Sequence, residues 1–202
     1  MGYANIGGYH SVCLAVMQPI TFATGNPKKA EEVRRILKPY GIEVDVIKAR
    51  KIEIQDESIE RIAAFSARML SKRIGKPLIV EDTGLFIDAL KGFPGPYSAY
   101  VYRTIGLTGV LKLMENIKNR DATFRCVVAY CEPGGKPLTF KGEVRGCIAY
   151  EARGDAGWGY DPIFEPRGYS RTYAELGLYK DEISHRAEAL REFARWYIGL
   201  KR

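Results

Sequence analysis

Glu81 and Asp82 stand side by side at the end of an apolar run, Leu78-Ile79-Val80, and Thr83-Gly84-Leu85 follow at once. Three large apolar residues in succession predict a strand buried on both faces. A buried strand that ends in acids carries charge to the edge of a core, where open α/β sheets place ligands. Successive strand side chains point to opposite faces, so the two carboxylates should not share one job. A carboxylate facing a cleft can hold a divalent metal or take a proton from water. A solvated strand end, with Thr83-Gly84 as a turn, is the plainer account of the same residues.

Three other stretches have residue types that could do chemistry. In Thr24-Gly25-Asn26-Pro27-Lys28-Lys29, Asn26 is a good helix N-cap and Pro27 a good first helical residue. A strand–turn–helix of this kind exposes backbone amides to an anion. Lys28 and Lys29 oppose the helix dipole there, a conflict that an anionic ligand would relieve. The spacing is not that of a Walker loop. In Gly157-Trp158-Gly159-Tyr160-Asp161-Pro162, glycines around two aromatics suit a flat pocket wall, where ring faces stack on bases and a carboxylate accepts from a base edge. Aromatic residues pinning a long loop is the alternative. Ser184-His185-Arg186 opens a helix with Lys180 just upstream, again with a cation at the unfavourable end. A histidine at such a place is commonly a surface or capping residue, but with Arg186 beside it a bound anion or polar ring fits as well.

The elements that must position these residues alternate in type. Residues 19–23 and 43–47 read as strands, and 52–54 extends the second with Glu53 facing away from its apolar neighbours. Helices are expected from Pro27 to Gly41, from the Ser58 cap to Gly75, over 108–118, and from Ser184 to the end. Residues 122–131 and 138–150 form a long hairpin around Glu132-Pro133-Gly134-Gly135, to which no chemistry is assigned. Cys126 and Cys131 fall on opposite faces of its first strand.

A chain of 202 residues suits one domain or a domain with two lobes. Residues 1–18 fit poorly: they lack the basic start and long apolar stretch of a secretory signal, and the expectation is that either Met17 is the genuine start or the leader is a dispensable arm. The domain is therefore taken as residues 19–202. No apolar run approaches the ~20 residues of a membrane helix. Lys and Arg outnumber Asp and Glu by 31 to 24, which favours an anionic partner, small phosphate-bearing molecules as readily as nucleic acid. The basic residues are scattered, and no RNA-recognition or zinc-finger signature is present, so nucleic-acid binding is the weaker alternative. The four cysteines form no C-x-x-C pair, consistent with free thiols in a reducing cytoplasm.

These pieces together resemble the inosine triphosphate pyrophosphatase family. The resemblance runs from about Pro19 to the last helix. It rests on Thr24-Gly25-Asn26-x-x-Lys29, Glu53-Ile54-Gln55, Val80-Glu81-Asp82-Thr83-Gly84-Leu85, Phe93-Pro94-Gly95-Pro96-Tyr97-Ser98, Gly157-Trp158-Gly159-Tyr160-Asp161-Pro162, Thr172-Tyr173-Ala174-Glu175 and Ser184-His185-Arg186. It implies an α/β fold with a long twisted mixed sheet flanked by helices, and two lobes around a central cleft. It also implies a homodimer, Mg²⁺, and hydrolysis of ITP, dITP and XTP to the monophosphate and pyrophosphate. A phosphohydrolase releasing orthophosphate is the enzymatic alternative.

By motif, Thr24, Gly25, Asn26, Pro27, Lys28 and Lys29 would hold the triphosphate. Glu53 and Asp82 would bind Mg²⁺, and Asp82 would also be the base; Thr83 would touch substrate. Trp158, Gly159, Tyr160 and Asp161 would form the base pocket, closed by Lys180, His185 and Arg186. Three positions depart from the family's pattern: Ser66 and Ala99 stand where basic residues are often found, and Asp181 follows Lys180 in place of asparagine.

Overall fold

The computed structural model describes residues 18–200 apart from Arg50, Lys51 and Glu53. Strand β1 (Ile20–Ala23) leads into helix α1 (Pro27–Leu37), β2 (Val44–Ile47), α2 (Ile59–Ile74) and the long β3 (Leu78–Ile87). A short β4 (Pro94–Gly95) and helices α3 (Ser98–Thr104) and α4 (Gly106–Leu113) follow. Then come the hairpin β5 (Asp121–Cys131) and β6 (Leu138–Ile148), and β7 (Phe164–Pro166). Short helices α5 (Tyr173–Leu176) and α6 (Lys180–Ile183) precede the last helix, α7 (His185–Gly199).

The helix boundaries follow from the local chemistry. The Asn26 side chain accepts from the amides of Lys28 and Lys29, and Ser58 and Ser184 cap α2 and α7 in the same way. Gly75 closes α2 in the left-handed region. Thr172 and Glu175 form a reciprocal capping box at α5.

The seven strands form one mixed sheet in the order β2-β1-β3-β5-β6-β7, with β4 on β3. β2, β1 and β3 are parallel, joined through α1 and α2, and the remaining pairs are antiparallel. Ile52 and Ile54, expected in a strand extension, are irregular. All four residues of β1 already pair with Val44 to Ile47 on that side, so β1 has no further residue to pair with an extension. α4 is also shorter than expected, ending at Leu113 ahead of Asn116, whose φ is +60°.

Three cores organise the sheet. On the face bearing Ile79 of β3, one core packs α1 and α7 against Phe22, Val128 and Tyr130. Further along that face, beyond Glu81 and Thr83, a second core gathers Leu85, Ile87, Phe124, Ile163 and Phe164. The opposite face is covered by α2 through Ala63, Ala67 and Leu70, packed on Leu78, Val80 and Val127. The strand period of two therefore leaves a polar interruption, Glu81 and Thr83, between two apolar clusters on one face. Cys126 and Cys131 are buried in cores on opposite faces, as their spacing requires. No helix among the described residues is long and apolar enough to cross a membrane.

Candidate active site

The polar interruption on β3 opens into a cavity of about 260 Å³. Its walls come from six places in the chain. Asn26 and Lys29 enter from the start of α1, Thr83 from β3, and Phe124 from β5. Trp158, Gly159, Tyr160 and Asp161 come from the loop before β7, and Lys180, His185 and Arg186 from α6 and α7. Ser98, Ala99, Tyr102 and Arg103 of α3 complete it.

Its floor is a ladder of alternating charges. Lys29 Nζ lies 2.8 Å from Glu81, and Glu81 lies 3.1 Å from Arg186. Arg186 also donates to Glu32, Glu32 lies 3.1 Å from Lys180 Nζ, and Lys180 lies 2.7 Å from Asp161. Every member except Lys29 is buried, Arg186 at 1% exposure and Glu81 at 2%. Unpaired charges could not survive there; alternation is what makes the burial tolerable. Burial alone would push the Glu81 carboxyl up, but the Arg186 guanidinium and Lys29 ammonium outweigh it and hold it well below the usual range. Glu32 is lowered in the same way, by Arg186, Lys180 and the Trp158 indole N–H, against its burial. For Asp161 burial prevails and its carboxyl is raised, in spite of Lys180 and the Trp158 amide 2.8 Å away.

The pairing explains two apparent conflicts in the sequence. Lys29 and Arg186 are cations on first helical turns, and in the free protein Glu81 compensates both. Thr83 donates to Glu81 and accepts from Arg186 at 3.4 Å, and Cys126 donates to the same carboxylate at 3.3 Å.

Above the ladder lie flat ring surfaces. His185 is fully buried and stacks on Phe124, with centroids 4.4 Å apart and planes 6° from parallel. Neither of its ring nitrogens has a hydrogen-bond partner among the described residues. Burial, followed by the Arg186 and Lys180 charges, drives its pKa well below the ordinary histidine value, so the ring is neutral near pH 7. Trp158 Nε1 donates to Glu32 at 2.6 Å, and the Lys180 ammonium and Arg186 guanidinium lie 5.5 and 5.3 Å from its ring centroid. Tyr160 is anchored by its hydroxyl to the Ser98 carbonyl at 2.9 Å. Gly157, at φ +76°, brings the chain so close to Asp161 that a Cβ would meet the carboxylate.

Two close fits set α7 in place. Ser184 caps its first turn, and Gly142 of β6 lets it settle on the sheet. A Cβ at Gly142 would stand 2.5 Å from Ala189 N and 2.7 Å from Glu188 Cβ.

Of the other residues singled out in the sequence, Thr24 is buried at the end of β1, its hydroxyl accepting from Asn26 N at 3.1 Å. Gly25, Pro27 and Lys28 lie beside the cavity in sequence without lining it. Asp82 faces the α2 side of β3, half-buried and outside the lining. Glu53 lies outside the described residues. Among the described residues no three His, Cys, Asp or Glu side chains cluster as a ready-made metal cage. Of the three departures, Ala99 lines the cavity and Ser66 donates to the Ile52 carbonyl at 2.9 Å. Asp181 pairs with Arg35 at 2.5 Å.

A family model described as the Ham1 family matches residues 20–196. The chain belongs to the Ham1 family. A Methanopyrus kandleri relative named dITP/XTP pyrophosphatase is 57% identical over 179 residues, covering 88% of this chain and 95% of its own length. A Pyrobaculum aerophilum relative of the same name is 54% identical over 178 residues, with the same coverage. Among solved structures, the Staphylococcus aureus Ham1 protein superposes with a TM-score of 0.77 at 30% identity, over 90% of this chain and 99% of its own. A Coxiella burnetii HAM1 protein gives 0.77 at 32% identity, over 91% and 100%.

Within this Ham1 chain, sequence reasoning passed over Glu32, Phe124, Tyr102 and Arg103. A signal for Glu32 existed: it is an acid on the buried stripe of α1, between Ala30, Val33 and Ile36 and one turn beyond Lys29. The hairpin is also more than architecture, since β5 supplies Phe124 to the cavity.

Proposed function

We propose that this protein hydrolyses nonstandard purine nucleoside triphosphates, ITP, dITP and XTP, to the monophosphate and pyrophosphate. The observation that carries the proposal is the joining, in one cavity, of ring surfaces at Phe124, His185 and Trp158 with the Lys29 ammonium at the start of α1. The names of the relatives point to the same substrates.

In this proposal the purine lies against the aromatic wall and the phosphates extend toward residues 24–29. The 6-oxo group meets donors among His185, Lys180 and Arg186. An exocyclic amine at that position, as adenine carries, would leave a buried donor unpaired, at a cost of roughly 1–3 kcal/mol, which disfavours ATP; guanine keeps the 6-oxo group and has to be told apart at its 2-amino group. Asp82, within β3, and Glu53 are the carboxylates proposed to hold Mg²⁺, an ion that takes oxygen donors. When bound, the ion would screen the triphosphate charge. Asp82 takes the proton from the attacking water, and the α–β phosphoanhydride bond breaks. A homodimer and a cytoplasmic place of action belong to the same proposal; the first rests on the family resemblance and the second on cysteines that form no C-x-x-C pair.

The deciding experiment separates the products of ITP turnover by ion exchange, with XTP, dITP, GTP and ATP in parallel. IMP plus pyrophosphate, with GTP and ATP slower, is expected. IDP plus orthophosphate, or no turnover of any of the five, would overturn the assignment.

A further inference from the structure

Glu81 has no role in the chemistry above, yet among the described residues it is the most heavily partnered acid. Its carboxylate accepts from Lys29, Arg186, Thr83 and Cys126, at 2% exposure. It also stands at a particular place. Lys29 belongs to the segment facing the phosphates, whereas Arg186 belongs to the wall facing the purine. Glu81 is the only member of the charge ladder that touches both.

We propose that Glu81 is a positioning residue that couples the two ends of the substrate site, holding Lys29 and Arg186 on one carboxylate so that a ligand at either end changes the other. This inference rests on the proposed function, which assigns the two ends. Polyphosphate competes with Glu81 for the Lys29 ammonium. Once Lys29 is drawn away, the carboxylate still holds Arg186, along with the Thr83 and Cys126 donors. The guanidinium, already held from its other side by Glu32, is then fixed against the ring wall. A purine should therefore bind more tightly when polyphosphate is present. Reciprocity requires the same factor in the other direction. A carboxylate that served packing alone would leave the two affinities independent.

The test uses two probes that do not touch each other's charge: inosine, which carries no phosphate, and inorganic pyrophosphate. The affinity of inosine is measured by titration calorimetry with and without saturating pyrophosphate, in wild type, Glu81→Gln and Lys29→Met. In wild type, pyrophosphate should tighten inosine binding roughly fivefold, the lower end of ordinary coupling between sites. In Glu81→Gln the factor should fall to about one, while inosine alone still binds. Lys29→Met, which removes the other end of the link, should also abolish it and stands in should Glu81→Gln fail to fold. A wild type that turns over ITP but whose inosine affinity ignores pyrophosphate would overturn the coupling and leave the function standing. A coupling factor kept in either variant would overturn it equally. A wild type that cleaves none of the triphosphates would overturn the function and this inference with it.

Discussion

On one face of β3, Glu81 lies at 2% exposure among two cations, a hydroxyl and a thiol. On the other face, one residue along, Asp82 is half-buried across from Val127, between Val80 and Phe86, which pack toward α2. The two acids are neighbours in sequence and share one strand, but only one is tied into a buried ladder. Pleating alone causes this, because a step of one residue exchanges one side of the sheet for the other. The contrast shows how one strand can commit a carboxylate to holding cations on one face while its neighbour on the other face stays outside that ladder.

The largest effect should come from breaking the Asp82 side. Asp82→Asn keeps the shape and removes the proton acceptor, so kcat should fall by about 10²–10⁴-fold while the melting temperature stays within a few degrees of wild type. Turnover close to wild type would give the chemistry to the other face. Next comes the seat of α7, which belongs to the Glu81 side. In Gly142→Ala the new methyl meets backbone of α7, which cannot swing aside as a side-chain tip could. Overpacking of this kind costs roughly 1–3 kcal/mol. Because His185 and Arg186 sit on the first turn of α7, KM for ITP should rise more than kcat falls. A variant with unchanged melting temperature and KM would show that the helix is not held there.

Much of this contrast was legible in the sequence. The apolar run ahead of Glu81 announced β3, alternation put the two acids on different faces, and Asn26, Ser58 and Ser184 marked three helix starts. What could not be read were partnerships across the chain. Glu32 meets Lys180 and Arg186 over separations of 148 and 154 residues, which no local pattern encodes. The conflict of Lys29 and Arg186 with their helix dipoles was visible, but its resolution within the protein by Glu81 was not. Phe124 looked like one more apolar residue of a hairpin until the sheet order set it beneath His185.

The smallest effect concerns how the buried side responds to acid. Glu32 has a folded pKa below its ordinary value of 4.5, because Arg186, Lys180 and Trp158 together outweigh its burial. A depressed carboxyl contributes stability that is present in full above the unfolded value and is lost as pH falls through the folded one. Unfolding free energy should therefore drop below about pH 4.5, with this one group contributing at most about 1.4 kcal/mol per pH unit. Asp161, whose pKa is raised, runs the opposite way: its contribution is present at low pH and lost as pH rises. It therefore cannot produce the acid loss. In Glu32→Gln the protein should be less stable at pH 7, since Arg186 and Lys180 each lose a partner. Its acid limb should also be flatter, so that the two curves converge as pH falls. Urea titrations at a series of pH values between about 3 and 7 would check this. Parallel curves would mean that Glu32 is not charged in the fold, and the ladder would then need another anion to balance Arg186.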